Sequence, residues 1–422
     1  MINRELLNND EGIAAILKNL KKRNQPQELF KNIQNTAGKY KEKQQKLELL
    51  QAERNKISKD VGILKAKGEE PEKVESLLTE VKTISDKLKI LKEEKEKSEE
   101  EYVALLINIP NILDDDIPAG ADENDNIEIR TFGKKPEFNF KVLPHYEIGE
   151  LENLIDFERG VKLAGSRFYV YNENIARLER DLISFMLKTH EKNGYKERMV
   201  PFLVKDDCMK NTGQFPKFKE EYYRMDKDEL NLIPTAEVPL TNLYYDEILK
   251  EEDLPVNLTA ATACFRREAG SAGKDTRGLI RVHQFNKVEL VKFCLPAEST
   301  NELEKLTANA EAILKKLELH YRVVLLCSAD TSFSSAKTYD IEVWMPGLER
   351  WLEISSCSNF RDFQARRAMI RYKEKESGKN KLVHTLNGSG VAAGRLVAAL
   401  MEYHQTADKK IDFEKIYEKI SI

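Results

Sequence analysis

Two seven-residue repeats, separated by a glycine-to-proline break, constrain this chain more than any other feature. Tyr40, Leu47, Arg54 and Val61 recur every seven residues, with Leu50, Ile57 and Leu64 as a second row. After Lys67-Gly68-Glu69-Glu70-Pro71, the residues Val74, Leu77, Val81, Ile84, Leu88 and Leu91 alternate in steps of three and four, and Tyr102 and Leu105 return to that register. So narrow a stripe suits one partner helix, not a globular core. Glycine stops the first helix and proline starts the second. The spacing therefore predicts an antiparallel α-helical coiled-coil hairpin over about 27–105, roughly 50–60 Å long at 1.5 Å per residue, which should project from the remainder. Asp10 is placed to cap a shorter helix running to Leu20, before Pro26.

Such an arm suits a dimerisation strut, a spacer or an RNA-binding lever. Lys39 to Lys67 holds nine Lys/Arg against four acids, whereas Glu72 to Glu101 holds seven against ten. A basic helix beside an acidic one offers one side to phosphates. The whole chain announces no such partner, because its net charge is only -4 over 422 residues. Cys208, Cys264, Cys294, Cys327 and Cys357 are dispersed without a C-x-x-C pair, which points to reduced thiols in the cytoplasm and against a disulfide framework or zinc site. No apolar run approaches the roughly 20 residues of a membrane span, and the start, M-I-N-R-E-L-L, carries no signal-peptide apolar region.

Prolines, Gly120 and a dense acidic run mark a linker over 109–137, which divides a domain of 1–108 from one of 138–422. Beyond it, Gly165–Val170 reads as a strand, Asn174–Lys192 as an amphipathic helix ended by Gly194, and Tyr195–Val204 as another strand. Asp412–Ile422 reads as a closing helix.

Chemistry concentrates between Cys264 and Glu289. Ala260–Glu268 and Ile280–Val291 have the composition of strands, and Gly270, Gly273 and Gly278 favour a mobile loop between them. Arg266, Lys274, Arg277 and Arg281 crowd this hairpin, with Glu268 and Glu289 as isolated acids near its ends. Arginine grips phosphate in a bidentate fork. Arginines beside acids on a sheet therefore suit a nucleoside triphosphate together with an amino group; an ordinary charged hairpin is the other reading.

F-R-R-E-A-G-S, a loop, and R-V-H-Q-F-N-K-V-E resemble motif 2 of the class II aminoacyl-tRNA synthetases, in the form of the seryl-tRNA synthetase family of bacterial type. Arg267 stands where that family usually has serine. Strand neighbours face opposite sides, so Arg267 should point away if Arg266 faces ligand. Other stretches match the same family: the helix–strand pair ending in Val200-Pro201 is similar to motif 1, and N-T-G-Q-F-P-K-F begins with Asn211 in place of glycine. Thr235-Ala236-Glu237-Val238-Pro239-Leu240, Glu353-Ile354-Ser355-Ser356 and the glycine-rich His384–Arg395 complete the set.

The resemblance implies an α+β fold: an antiparallel β-sheet catalytic domain with an N-terminal tRNA-binding coiled-coil arm. It implies a ligase that adenylates L-serine with ATP and charges tRNA(Ser), and tRNA(Sec) where there is one. It further implies Mg²⁺, a cytoplasmic homodimer and no membrane. Carried over by residue, Arg266 and Arg395 are catalytic. Thr235, Ala236, Glu237, Glu289 and Ser389 bind serine. Arg266, Arg267, Glu268, Val282, Phe285, Glu353, Ile354, Ser355, Ser356 and Arg395 bind ATP, with Glu353 and Ser356 on the metal. Thr235 and Glu237 alternate to one side if the segment is extended. Glu353 and Ser356 share a side only if their strand bends or bulges near Ser355. Small residues before Arg395 should let ATP approach the backbone. Three rivals remain at this point. An amino acid:carrier-protein ligase on the same fold lacks the arm. A catalytically silent RNA-binding paralog should have lost Arg266, Glu353 or Arg395. An archaeal zinc-using subtype expects a cysteine ligand in this region.

Overall fold

The computed structural model describes residues 3–7, 9–68, 71–269 and 277–420. Glu69 and Glu70 of the expected turn, and positions 270–276 of the expected mobile loop, lie outside them. The chain forms two compact units, Met1–Pro110 and Asn111–Ile422.

In the first unit, helix α1 spans Asp10–Lys22. Its N-cap is Asn9, whose side chain accepts the Gly12 N–H at 2.7 Å. Asp10 falls inside the first turn instead, where a carboxylate favours the helix dipole. Helices α2 (Gln27–Lys67) and α3 (Pro71–Ile107) follow the repeats, and Gly68 closes α2 in the left-handed region at φ 68°. Val61, Ile84, Leu88 and Tyr102 are buried along the seam. Tyr40 and Tyr102 stack across it with centroids 6.0 Å apart. Burying each large apolar side chain here is worth about 1.5–3 kcal/mol, which is what holds two helices too polar to stand alone.

In the second unit, eight strands form one sheet: β1 (Ile127–Phe132), β2 (Lys196–Glu197), β3 (Val256–Phe265), β4 (Gln284–Cys294), β5 (Tyr321–Leu325), β6 (Lys337–Met345), β7 (Arg350–Arg361) and β8 (His384–Ala392). Their order is β1-β5-β6-β7-β8-β4-β3-β2. All neighbours are antiparallel except β2 on β3. Leu352, Ile354 and Cys357 of β7 join an apolar core with helices Glu173–Lys192, Ser299–Lys316 and Ala393–Tyr403.

Several sequence expectations change. From Asn111 onward the expected 109–137 linker packs on the second unit: the Asn111 side chain donates to Ser334 O and Phe360 O at 2.9 and 2.8 Å, Arg361 pairs with Asp114, and β1 is the sheet's edge. Acidic, proline-rich composition masked a strand whose partner lies almost 200 residues away. Of Gly165–Val170, only Val170 is strand, in the two-residue Val170–Tyr171, because Arg167 turns the chain at φ 63°. Tyr195–Val204 breaks into Lys196–Glu197 and Leu203–Lys205.

Candidate active site

The β3–β4 hairpin is the expected one, with Glu289 opposite Ala260. Strand β3 ends at Phe265, so Arg266 to Glu268 are loop residues, and Glu268 takes φ 51°. Leaving the sheet frees Arg266 and Glu268 to reach into a cavity of about 1260 Å³, counted to its open mouth, that also receives Glu237, Lys287, Glu353 and Ser389. A second cavity, of about 580 Å³, shares Arg266, Lys287 and Glu353 and adds Phe285 and Arg395. The two cavities share Arg266, Glu268, Lys287, Glu353 and Ser389, so two reactants held in them would meet at those residues.

Arg266 is the junction. Its Nε donates to Pro234 O at 3.4 Å, and its guanidinium carbon lies 5.3 Å from the Phe285 ring centroid. Arg395, in the first turn of the helix Ala393–Tyr403 that follows β8, donates through Nη1 to Glu353 O at 2.6 Å and approaches Glu353 Oε2 at 3.3 Å. Desolvation in the cleft raises the Glu353 carboxyl, whose side chain is 46% exposed, but Arg395 and Arg266 outweigh it and hold it below the usual range. Glu268 faces Arg281 at 3.5 Å.

The bend required of Glu353-Ile354-Ser355-Ser356 is present. Register passes from Ile341↔Ser355 to Glu342↔Glu353, so Ile354 is an extra residue on β7. Ile354 and Ser355 are both buried, which puts Glu353 and Ser356 together on the cavity side.

Thr235 and Glu237 come together differently from the expectation. Ala236 is already helical, and Glu237 opens a short helix, Glu237–Asn242. The Thr235 hydroxyl oxygen accepts the Glu237 N–H at 3.2 Å. Both side chains are buried and both line the larger cavity. Gln364 donates to Glu237 Oε1 at 2.6 Å. Burial, reinforced by the nearby Glu289 carboxylate, pushes the Glu237 carboxyl up to about 7.

Glu289 lies directly opposite Ser389 across β4 and β8. It is fully buried behind the cavity lining: Asn387 Nδ2 donates to Oε1 at 2.9 Å, and Lys287 Nζ is 2.7 Å from Oε2. Among the described residues, Oε2 nevertheless has no hydrogen-bond partner of proper geometry.

Most of the sequence-derived set thus converges: Arg266, Glu268, Val282, Phe285, Glu353, Ile354 and Arg395 line one cavity, and Thr235, Glu237, Ser356 and Ser389 the other. Four do not line either. Arg267 is exposed, 5.8 Å from the Tyr223 ring centroid. Ala236 sits in an apolar cluster. Ser355 donates to Ser389 O at 2.6 Å and so braces β8. Glu289 is the fourth. Of the glycines before Arg395, Gly388 serves helix packing, because a Cβ there would strike Leu306 at 2.3 Å, whereas Gly394 lines the smaller cavity with Ala392. Lys287, Asn387 and Gln364 were missed. Alternation along β4 places Lys287 on Glu289's face and was the one signal available.

An antiparallel sheet that aims two arginines and a bulge-presented glutamate into one cleft, beside a buried acid suited to an ammonium, defines a class II aminoacyl-tRNA synthetase. Residues 1–113 match the family described as seryl-tRNA synthetase N-terminal domain, and residues 217–404 the tRNA synthetase class II core domain (G, H, P, S and T). The serine–tRNA ligase of Leptospira biflexa is 56% identical over 363 residues, covering 86% of each chain. That of Hydrogenobaculum is 53% identical, covering 88% of this chain and 87% of the other. The structure of seryl-tRNA synthetase from Pyrococcus horikoshii complexed with ATP superposes with a TM-score of 0.92 at 33% identity, covering 99% of this chain and 98% of that one. The chain belongs to the seryl-tRNA synthetase family. Nothing supports the silent paralog: Arg266, Glu353 and Arg395 are all present and share one cavity.

Proposed function

We propose that this site joins L-serine to ATP as seryl-adenylate, releasing pyrophosphate, and then transfers serine to the 3′-terminal ribose of tRNA(Ser) and of tRNA(Sec). The observation that carries the reading is the continuity of the two cavities through Arg266, with Glu237 on one side and Arg395 on the other. Adenylation needs no covalent enzyme intermediate. The serine carboxylate attacks the α-phosphorus in line, so the protein must position two anions and hold their charge.

Arg266 spans the boundary and bridges the serine carboxylate and the α-phosphate. Glu268 takes the adenine amino group, with the Val282 backbone and Phe285 beside the ring. Arg395 releases Glu353 to cover the opposite face of the ring and a terminal phosphate. Glu237 and Thr235 receive the serine ammonium. Glu289 Oε2, ion-paired with Lys287 at 2.7 Å but without a hydrogen bond of proper geometry, is matched to the serine hydroxyl, which would donate to it. Alanine would leave that acceptor unmet. Glu353 and Ser356 present a carboxylate and a hydroxyl side by side, hard oxygen donors that fit Mg²⁺ shared with phosphate and water. When bound, Mg²⁺ would supply charge neutralisation on the phosphates.

The arm is read as the tRNA-binding domain, because its first helix is the basic one. A homodimer is supported by Met199, 98% exposed, with Phe202 and Leu203 exposed near the edge strand β2. No helix among the described residues is long and apolar enough to cross a membrane; the dispersed cysteines without a C-x-x-C pair support a cytoplasmic location. ATP–pyrophosphate exchange with serine, threonine, alanine and glycine, run separately before tRNA is added, tests the reading. Exchange with serine alone is expected; none from folded protein with Mg²⁺ would refute it.

A further inference from the structure

His145 is absent from the set that the resemblance supplies, yet it lies under the nucleotide end of the site. It opens the helix His145–Leu151 and is completely buried. Its Nδ1 is 2.9 Å from Glu402 Oε1, which also accepts the His145 backbone N–H at 2.9 Å. Glu402 is itself fully buried, and its Oε2 accepts the Gly347 N–H at 2.8 Å. On the other edge of the ring, the Leu279 N–H donates to His145 Nε2 at 3.1 Å.

These contacts fix the tautomer. The Leu279 amide can only donate, so Nε2 must carry a lone pair. A neutral ring then has its proton on Nδ1, given to Glu402. Leu279 and Ile280 form a wall of the smaller cavity, and Ile280 O accepts from Arg395 Nη2 at 3.4 Å. The fit is close: a Cβ on Gly278, which also has φ 83°, would lie 2.3 Å from His145 Nε2.

We infer that His145 is a positioning residue for ATP: its Nε2, oriented by Glu402, anchors the Leu279 amide and so holds the wall against which Arg395 and the adenine ring are placed. The inference rests on the proposed ATP placement and adds the device that stabilises it. It predicts damage confined to one substrate, because the serine end is built from other elements, Glu237–Asn242 and β8.

The test uses the full-length enzyme with His145→Phe and His145→Gln. Phenylalanine keeps a ring but offers no acceptor, whereas the glutamine carbonyl reaches the same place. Pyrophosphate exchange gives the KM of ATP and of serine, and hydrogen exchange reports the Leu279 amide. His145→Phe should raise the ATP KM about tenfold or more, the scale of one unsatisfied buried donor. It should leave the serine KM within about twofold and speed Leu279 exchange, while His145→Gln restores both. An unchanged ATP KM, unchanged Leu279 protection, or a folded His145→Gln as impaired as His145→Phe would overturn the inference. If His145→Phe does not fold, His145→Gln decides alone: near-normal ATP KM and Leu279 protection support it, and their loss overturns it. A wild-type enzyme without serine-dependent exchange would refute the ATP reading itself, and Leu279 exchange would still judge the anchor.

Discussion

Replacing Glu237 with glutamine, across a range of pH, separates a structural acid from one that receives an ammonium. In the free enzyme its carboxyl is pushed up to about 7, first by burial and then by Glu289. A raised carboxyl favours the protonated form in the folded state. Below about pH 4.5 folded and unfolded chains are alike protonated, and as pH rises through 7 the folded state bears a penalty on the order of 3 kcal/mol at 1.36 per pKa unit. An ammonium arriving at Glu237 removes that penalty, so it must bind the ionised form. With half-ionisation near 7, about 9% of sites are ready at pH 6 and about 91% at pH 8. Serine carries its ammonium throughout this range. The serine KM of the wild-type enzyme in pyrophosphate exchange should therefore fall about tenfold from pH 6 to pH 8, with the ATP KM nearly level. Glutamine keeps the size and the Gln364 contact but loses the charge. Glu237→Gln should bind serine about 10–100-fold more weakly at pH 8, the scale of one charge-assisted hydrogen bond, and its serine KM should be flat with pH. A flat wild-type profile, or a slope that survives the substitution, would refute the argument.

Glu289→Ala removes the anchor of Asn387 and leaves the Lys287 ammonium buried without its partner; the serine KM should rise at least about tenfold while the ATP KM stays within about threefold. Steady-state exchange with each substrate varied measures both. Exchanging Lys41, Lys46 and Arg54 together for glutamine should raise the tRNA KM in aminoacylation, with the difference from wild type shrinking as salt increases, and leave pyrophosphate exchange intact; equal damage to both activities would sink the RNA-lever reading. Light scattering at micromolar concentration should give a dimer mass, and Met199→Asp should shift it towards monomer.

What the sequence made legible is what local periodicity or a contiguous motif can carry. The arm was readable because heptads repeat over 41- and 37-residue helices. The β3–β4 hairpin was readable because its two strands are consecutive in sequence and pair with each other. Edge strand β1 was not, because its sheet partner, β5, is remote in sequence and its flanks are acidic and proline-rich. The site divides in the same way. Glu353 and Ser356 could be paired from sequence only by demanding a bulge, and the register shift at Ile354 supplies it. Thr235 and Glu237 were paired for the wrong reason: strand alternation was assumed, whereas a helix start brings them together.

The polar shell behind the site could not be read, since Gln364 meets Glu237 across 127 residues and His145 meets Glu402 across 257. These distant partners share a physical task. Glu237, Glu289 and Glu402 are three carboxylates almost wholly removed from water, and isolated each would cost several kcal/mol to leave charged. Gln364, Asn387, Lys287 and His145 each direct a donor at one of them. Glu402 has its oxygens engaged by His145 and Gly347, as a structural anchor should. Glu289 keeps an oxygen without a hydrogen bond, and Glu237 stays half-protonated near neutrality. Of these three, the two set apart in this way are those nearest the cleft, Glu237 on its lining and Glu289 just behind it. That difference separates the carboxylates that wait for a ligand from the one that holds the frame.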